Sequence, residues 1–309
     1  MSDTKAKIQA QFPGVIFNEK LSKYSTFQVG GPADFFYKVD SLDAQSLNTL
    51  SALLSFAKEV SIPVFFLGGG SNTLFADEGF RGLIIKIESR EIEKLDNSQL
   101  KVDAGVPIPS LIMYSAENSL TGLEPWMGLP GTVGGALRGN AGCNGLETSD
   151  ILKEATLLNL NDFTVHTVDS SYFEYSYRSS KIKKQPELVL QAVFQLQPRE
   201  ISLEEQKERI KEFNQLRIKK QPFGSTTGSF FKNPNPKQPA GMLIEQIGLK
   251  GHQHGKAKIS DKHANFFLNL GGATAKEILE LSQLAIDKVK ESFGLTLEPE
   301  VVYLPENGF

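Results

Sequence analysis

The feature that most constrains this chain is Leu67–Gly68–Gly69–Gly70–Ser71–Asn72, which follows directly on the apolar run Pro63–Val64–Phe65–Phe66. Three consecutive glycines after a predicted strand let the backbone take positive φ and turn its N–H groups toward a ligand without Cβ obstruction. A diphosphate needs such a cradle, and Ser71 and Asn72 can add side-chain donors. No lysine follows as in G-x-x-x-x-G-K-[ST], and no helix of G-x-G-x-x-G type opens here. Alone, the loop reads equally well as a tight turn. A second glycine loop, Gly128–Leu129–Pro130–Gly131–Thr132–Val133–Gly134–Gly135–Ala136 continuing to Asn140–Ala141–Gly142, places six glycines within fifteen residues. Small residues there would let backbone approach a large flat ligand and its phosphates. The pair suggests a dinucleotide held between two subdomains, with close helix–strand packing as the plainer alternative. A third pair, Gly30–Gly31, reads as a strand end and turn.

At 309 residues and 40% hydrophobic content the chain can bury more than one core, so two or three domains are expected. A net charge of −3 argues against nucleic acid or an anionic membrane as the main partner. The basic clusters Lys181–Ile182–Lys183–Lys184 and Arg217–Ile218–Lys219–Lys220 read first as solvated helix ends or loops. A single cysteine, Cys143, excludes an internal disulfide and any Cys-rich metal site. The N-terminus lacks an apolar signal core and no apolar run reaches membrane-spanning length, so a soluble, cytoplasmic protein is expected.

Periodicity gives a helix over Leu42–Val60, with Leu47, Leu50, Leu54 and Ala57 on one face, and strands over Pro63–Leu67 and Gly82–Ile87. Pro109 suits the start of a helix that would run to Gly122. Strands follow around Ala155–Leu158, Thr164–Val168 and Leu188–Leu196. Ser202–Glu205 and Thr274–Glu277 are capping boxes. The second opens a last helix whose apolar face is Ile278, Leu281, Ala285, Val289 and Phe293, ending at Gly294. The expected architecture is α+β with mixed sheets, divided near residues 84 and 205.

These stretches resemble the UDP-N-acetylenolpyruvoylglucosamine reductase family, flavoenzymes that make UDP-N-acetylmuramic acid for peptidoglycan. The resemblance runs from about Tyr24 to Val301. It rests on S-T-F-x-V-G-G-P-A, G-G-G-S-N, L-P-G-T-V-G-G-A with Asn140–Ala141–Gly142, Tyr177–Arg178–Ser179, Gly228–Ser229–Phe230–Phe231–Lys232–Asn233–Pro234 and Leu297–Glu298–Pro299–Glu300–Val301. The short middle region is similar to the branch lacking an inserted tyrosine loop. Tyr24 stands where the family often has His, and Cys143–Asn144 where it has Ala–Tyr. The resemblance implies a two-subdomain FAD-binding fold of the vanillyl-alcohol-oxidase/PCMH type plus a C-terminal α+β substrate-binding domain. Residues 1–84 and 85–204 would hold FAD, and 205–309 the substrate.

It further implies that FAD is bound non-covalently by Gly68, Gly69, Gly70, Ser71, Asn72, Gly131, Thr132, Gly134, Gly135 and Asn140. NADPH would be co-substrate and UDP-N-acetylglucosamine enolpyruvate the substrate, the two occupying one site in turn. Lys220, Asn233 and His263 match substrate-holding positions, with Lys220 suited to the diphosphate. Ser229 resembles the general acid for substrate C2, Arg178 the cation on the substrate carboxylate, and Glu300 the acid that works with it. The chemistry justifies these types. Hydride addition at C3 builds an enolate-like dianion, which needs a cation and a donor in place beforehand. Arginine offers a planar fork. Glu300 helps as a protonated, hydrogen-bonding acid, which implies a raised pKa. Lys232 is a candidate for lowering the proton affinity of Ser229.

Each has a bland reading: a turn serine, a surface arginine, a solvated strand glutamate beside Pro299. His252 and His254 make a tempting metal pair, yet no cysteine or H-E-x-x-H accompanies them, and no metal is expected. Two other classes compete. An FAD-dependent oxidase or dehydrogenase of the same fold could act on a small alcohol or sugar, with Cys143 as a flavin tether. A non-catalytic flavin-binding module should have lost Ser229, Arg178 or Glu300, and all three are present.

Overall fold

The computed structural model describes residues 2–96 and 98–309. The chain divides into two compact units. One comprises residues 1–16, 36–69 and 84–216, the other 17–35, 70–83 and 217–309. The strands Ile16–Lys20, Pro32–Val39 and Phe80–Ile87 each contain a point at which the chain changes unit, and Val64–Leu67 lies in the first.

In the first unit a five-stranded antiparallel sheet takes its strands in the order Val165–Asp169, Leu152–Asn159, Glu187–Gln195, Gln99–Asp103 and Ile92–Lys94. The pairing of Leu152–Asn159 with Glu187–Gln195 shifts register between Leu152 and Glu154 and again between Thr156 and Leu157. Its core includes Leu100, Val102, Leu157 and Phe194, the last edge-on against Trp126 at 6.1 Å. The helix Ala44–Glu59 is N-capped by Asp43, whose carboxylate accepts from Ser46 N at 2.7 Å, and buries Leu50, Leu53, Leu54 and Ala57. The helix expected to run from Pro109 to Gly122 spans only Ile108–Glu117. Ser119 takes φ +61°, and Leu120–Thr121 then pairs with Gln197–Pro198 instead of continuing the coil. Burial alone would raise the Glu124 pKa. Hydrogen bonds from Thr121 Oγ1 (2.6 Å), Gln206 Nε2 (2.6 Å) and Gly122 N (2.8 Å) hold it below the ordinary carboxylate range.

In the second unit the strands Gln253–His254, Ala257–Ile259 and Phe267–Asn269 form an antiparallel sheet. The helix Ala275–Phe293 begins at the expected capping box, with Thr274 Oγ1 accepting from Glu277 N at 3.1 Å and Glu277 Oε2 from Thr274 N at 3.0 Å. Asp77 adds its carboxylate to the first turn, accepting from Ala275 N (2.8 Å) and Lys276 N (3.1 Å), where a negative charge is favoured. Ile278, Leu281, Ala285 and Val289 are buried, Phe293 is exposed, and Gly294 closes the helix at φ +67°. Val302–Leu304 pairs in parallel with Thr73–Phe75, which ties the end of the chain to the strand that follows the first glycine loop.

Candidate active site

Gly68 and Gly69 of the first loop meet the second loop inside the first unit. A Cβ on Gly69 would lie 2.7 Å from Gly131 Cα, and one on Gly68 would lie 3.0 Å from Thr132 Oγ1. The helix Val133–Gly139 starts just beyond, and a Cβ on Gly134 would press to 2.9 Å on the Ala104 Cβ. Gly135 is exposed, and a Cβ there would meet only Thr132 Oγ1, at 3.8 Å. That Thr132 hydroxyl is buried and has no hydrogen-bond partner among the described residues. A buried hydroxyl left unpaired is costly unless a ligand completes it. Gly68, Thr132 and Gly135 therefore present a cradle of backbone and one unpaired hydroxyl, which fits the phosphate-bearing part of FAD.

Gly70 belongs to the second unit. It sits at φ +64°, and a Cβ there would fall 1.7 Å from Tyr24 O. Its carbonyl accepts from Thr26 N at 3.1 Å. The Tyr24–Thr26 segment thus wraps the loop end. Ser71 is half-buried. Asn72 Nδ2 donates to Glu300 O at 2.9 Å and Asn72 O accepts from Val302 N at 3.0 Å, while the side chain stays exposed.

Ser229 and Glu300 come together in this second unit. Residues 229–232 are extended and held on both sides. Phe230 N donates to Asn265 O (2.7 Å), Glu300 N to Phe230 O (2.8 Å), and Lys232 N to Glu298 O (2.9 Å). The Asn265 side chain closes the lattice, accepting from Phe231 N at 2.9 Å and donating to Phe231 O at 2.8 Å. Phe230 anchors the segment, stacked on Phe267 with centroids 4.4 Å apart and edge-on to Phe231 at 5.1 Å. Gly228, at φ +85° with open space around its missing Cβ, turns the chain into Ser229. The suggested influence of Lys232 on Ser229 is not supported. Lys232 is three residues along an extended segment, hence on the opposite face, and its ammonium pairs with Glu298.

Asn233 caps the helix Ala240–Gln246, its Oδ1 accepting from Ala240 N at 3.0 Å. Burial pushes the His263 imidazole below its ordinary pKa. Nδ1 accepts from Asn265 N at 3.2 Å, so the neutral ring carries its proton on Nε2, and it packs edge-on against Phe266 at 4.8 Å. Lys220 is the exposed last residue of the helix Leu203–Lys220. His254 Nε2 lies 2.7 Å from Glu280 Oε2, and no group of three metal-capable side chains exists among the described residues.

Arg178 stands in the first unit on a tight turn. Ser176 N donates to Ser179 O (3.1 Å) and Ser179 N to Ser176 O (3.0 Å), with Arg178 at φ +53°. Its Nη2 donates to Gly142 O at 3.1 Å. A polar cleft of about 460 Å³ opens beside it, lined by Gly142–Glu147, Asp150, Tyr177 and Arg178. One wall is a hairpin that periodicity missed: Gly142–Cys143 pairs with Leu146–Glu147 across Asn144 (φ +50°) and Gly145 (φ +84°). Asn-Gly is the usual signature of a two-residue turn with both φ values positive, so the signal was present. The departure at Asn144 thereby has a backbone reason, reinforced by Nδ2 donating to Pro125 O at 2.8 Å.

Residues 220–304 match the C-terminal domain of UDP-N-acetylenolpyruvoylglucosamine reductase, and residues 42–169 match an FAD binding domain. The UDP-N-acetylenolpyruvoylglucosamine reductase of Rubrobacter xylanophilus is 40% identical over 296 residues, covering 95% of this chain and 96% of that protein. The chain belongs to the UDP-N-acetylenolpyruvoylglucosamine reductase family. The Bacillus subtilis member is 36% identical, with 95% of each protein covered. The crystal structure of the Thermus caldophilus reductase superposes with a TM-score of 0.76 at 34% identity, covering 94% of this chain and 97% of that one. The FAD-binding match contains both glycine loops, and the C-terminal match contains Lys220, Ser229, Asn233, His263 and Glu300. Arg178 falls outside both. The protein is an FAD-dependent oxidoreductase with an α+β fold, and no described helix is long and apolar enough to cross a membrane.

Proposed function

We propose that this reductase converts UDP-N-acetylglucosamine enolpyruvate to UDP-N-acetylmuramate, acting as UDP-N-acetylmuramate dehydrogenase in peptidoglycan precursor synthesis with NADPH as electron donor. Gly68, Gly69, Thr132 and Gly135 hold FAD, which when bound accepts hydride from NADPH and supplies it to C3 of the enolpyruvyl group. Arg178 binds the substrate carboxylate through its planar fork and balances the charge that grows there. Ser229 Oγ gives its proton to C2, and Glu300, in its protonated form, donates a hydrogen bond to the same carboxylate. Lys220 takes the diphosphate, with Asn233 and His263 in the substrate region. In this reading residues 1–84 and 85–204 serve the flavin, and 205–309 the substrate.

The observation that carries the reading is the lattice in which Glu300 N donates to Phe230 O at 2.8 Å, so that the assigned proton donor and assigned acid occupy neighbouring extended segments. The pairing supports the reading by bringing together two backbone segments distant in sequence. The test is the visible spectrum of the purified protein under anaerobic conditions. NADPH should bleach a flavin band, and the enolpyruvyl sugar nucleotide should restore it. Bleaching without recovery would remove the substrate assignment. Flavin that stays with the acid-precipitated protein would favour a tether at Cys143 and the oxidase class.

A further inference from the structure

Asn140 has a role that neither the glycine-loop reading nor helix capping supplies, and its argument rests on the assignment of Arg178 above. Its side chain is 1% exposed at the end of the helix Val133–Gly139, where the backbone turns left-handed at φ +45°. Nδ2 donates to Glu147 Oε2 (2.8 Å) and to Ser176 O (3.2 Å), while Oδ1 accepts from Ser149 N (3.1 Å). Both amide donors and the carbonyl are therefore engaged inside the protein, and the side chain is not aimed at a cofactor. It joins three pieces: the end of the second glycine loop, the hairpin that walls the cleft, and the turn that carries Arg178.

That turn needs fixing. A non-glycine residue at φ +53° is strained and persists only where its surroundings over-determine it. Besides Asn140 on Ser176 O, side-chain bonds hold it. Lys183 Nζ donates to Arg178 O (2.5 Å), Ser180 Oγ to Arg138 O (2.6 Å), and Arg178 Nη2 to Gly142 O (3.1 Å). The Asn140 amide and the Arg138 carbonyl belong to the helix that opens from Thr132, the residue whose unpaired hydroxyl marks the flavin cradle. We propose that Asn140 is a positioning residue for Arg178, setting the direction of the guanidinium from the flavin-binding loop itself. A planar fork acts on a carboxylate only when aimed, and a misplacement of about 1 Å costs up to roughly 100-fold in rate.

The test is a double-mutant cycle read on separate half-reactions. Asn140→Gly keeps a residue suited to the left-handed cap, so a merely capping Asn140 would lose little. Asn140→Asp keeps the shape and the acceptor for Ser149 N but loses both donors, and serves if the glycine variant does not fold. In stopped flow, either variant should slow reoxidation of reduced flavin by the enolpyruvyl sugar nucleotide roughly 10- to 100-fold at saturation. Reduction of flavin by NADPH should stay within about twofold, because it does not use the carboxylate clamp. In an Arg178→Ala background the same substitution should add nothing. Multiplicative losses, or both half-reactions falling together with flavin content, would overturn the positioning role while leaving Arg178 as assigned. An Arg178→Ala enzyme that reoxidises at the wild-type rate would remove the assignment of Arg178 and the inference with it.

Discussion

Two glycines in the cradle separate packing from ligand binding. At Gly69 the added methyl of alanine would sit 2.7 Å from Gly131 Cα and 3.2 Å from its carbonyl carbon, so one backbone must move away from another. Overpacking of that kind costs about 1–3 kcal/mol. At about 2–4 °C per kcal/mol for a domain of 150–250 residues, the melting temperature of the flavin-free protein should fall by roughly 2–12 °C. At Gly135 the methyl meets only Thr132 Oγ1, at 3.8 Å, and the residue lies in the first turn of a helix with no positive φ. Alanine there should leave the apoprotein as stable or up to about 1 kcal/mol more stable, since glycine is the poorer helix former. It would nevertheless fill space next to the unpaired hydroxyl. The expected result is a crossed pattern: Gly69→Ala lowers the apoprotein melting temperature, whereas Gly135→Ala spares it and weakens FAD. The assay combines thermal denaturation of the apoprotein with fluorescence titration by FAD. A Gly135→Ala protein that binds FAD as tightly as wild type would refute the cradle drawn from Gly68, Thr132 and Gly135.

Other outcomes follow from the assigned roles. Ser229→Ala should leave NADPH reduction of the flavin near normal and slow substrate-driven reoxidation about 10²–10⁴-fold in stopped flow; equal slowing of both halves would remove the proton-donor role. Arg178→Lys keeps the charge without the fork and should still lose single-turnover rate, with recovery of full activity counting against a two-pronged clamp. Glu300→Gln should retain more single-turnover activity than Glu300→Ala, because Gln keeps a hydrogen-bond donor; if Gln were no better than Ala with substrate binding intact, the protonated-acid role would be wrong. For His263 the folded-state pKa lies below the unfolded value, so its contribution to stability is present above about pH 6.5 and declines as pH falls below it. Denaturant titrations from pH 7.5 to 5 should show a shallower loss in His263→Gln than in wild type, and parallel curves would exclude that linkage.

Elements with a local cause were legible in the sequence. The two capping boxes form as expected because each needs only a hydroxyl and a carboxylate three residues apart. The helix expected from Pro109 to Gly122 ends at Glu117. Its apolar sequence continues past Asn118, while what ends it is pairing of Leu120–Thr121 with Gln197–Pro198, a contact that no local window contains. The N-terminal helix Ser2–Gln11 and the strands Gln99–Asp103 and Ile92–Lys94 were not read. In Gln99–Asp103 the reason is the buried polar Asp103, which accepts from Ser89 Oγ, from Glu91 N (3.0 Å) and from Gln191 Nε2 (2.8 Å). A carboxylate satisfied by three distant donors looks, in sequence, like a solvent-facing residue.

Site residues divide along the same line. Ser229, Arg178 and Glu300, the catalytic residues proposed above, are marked by motifs, yet no motif states what keeps them in place. An asparagine in a glycine loop reads first as a ligand donor, since its amide can bond a phosphate as readily as a carbonyl. Asn140 instead turns its amide inward, onto the Glu147 carboxylate and the Ser176 carbonyl beside Arg178. The glycines divide too: Gly69 and Gly70 are required by backbone that lies too close for a Cβ, whereas a Cβ on Gly135 would make only an ordinary contact with Thr132 Oγ1. Packing and cofactor binding are thus not rival explanations of the loops. Close packing holds the loops in place, which lets a few open positions serve a ligand without reorganisation, and the same loops bond the Glu300 backbone and the turn of Arg178.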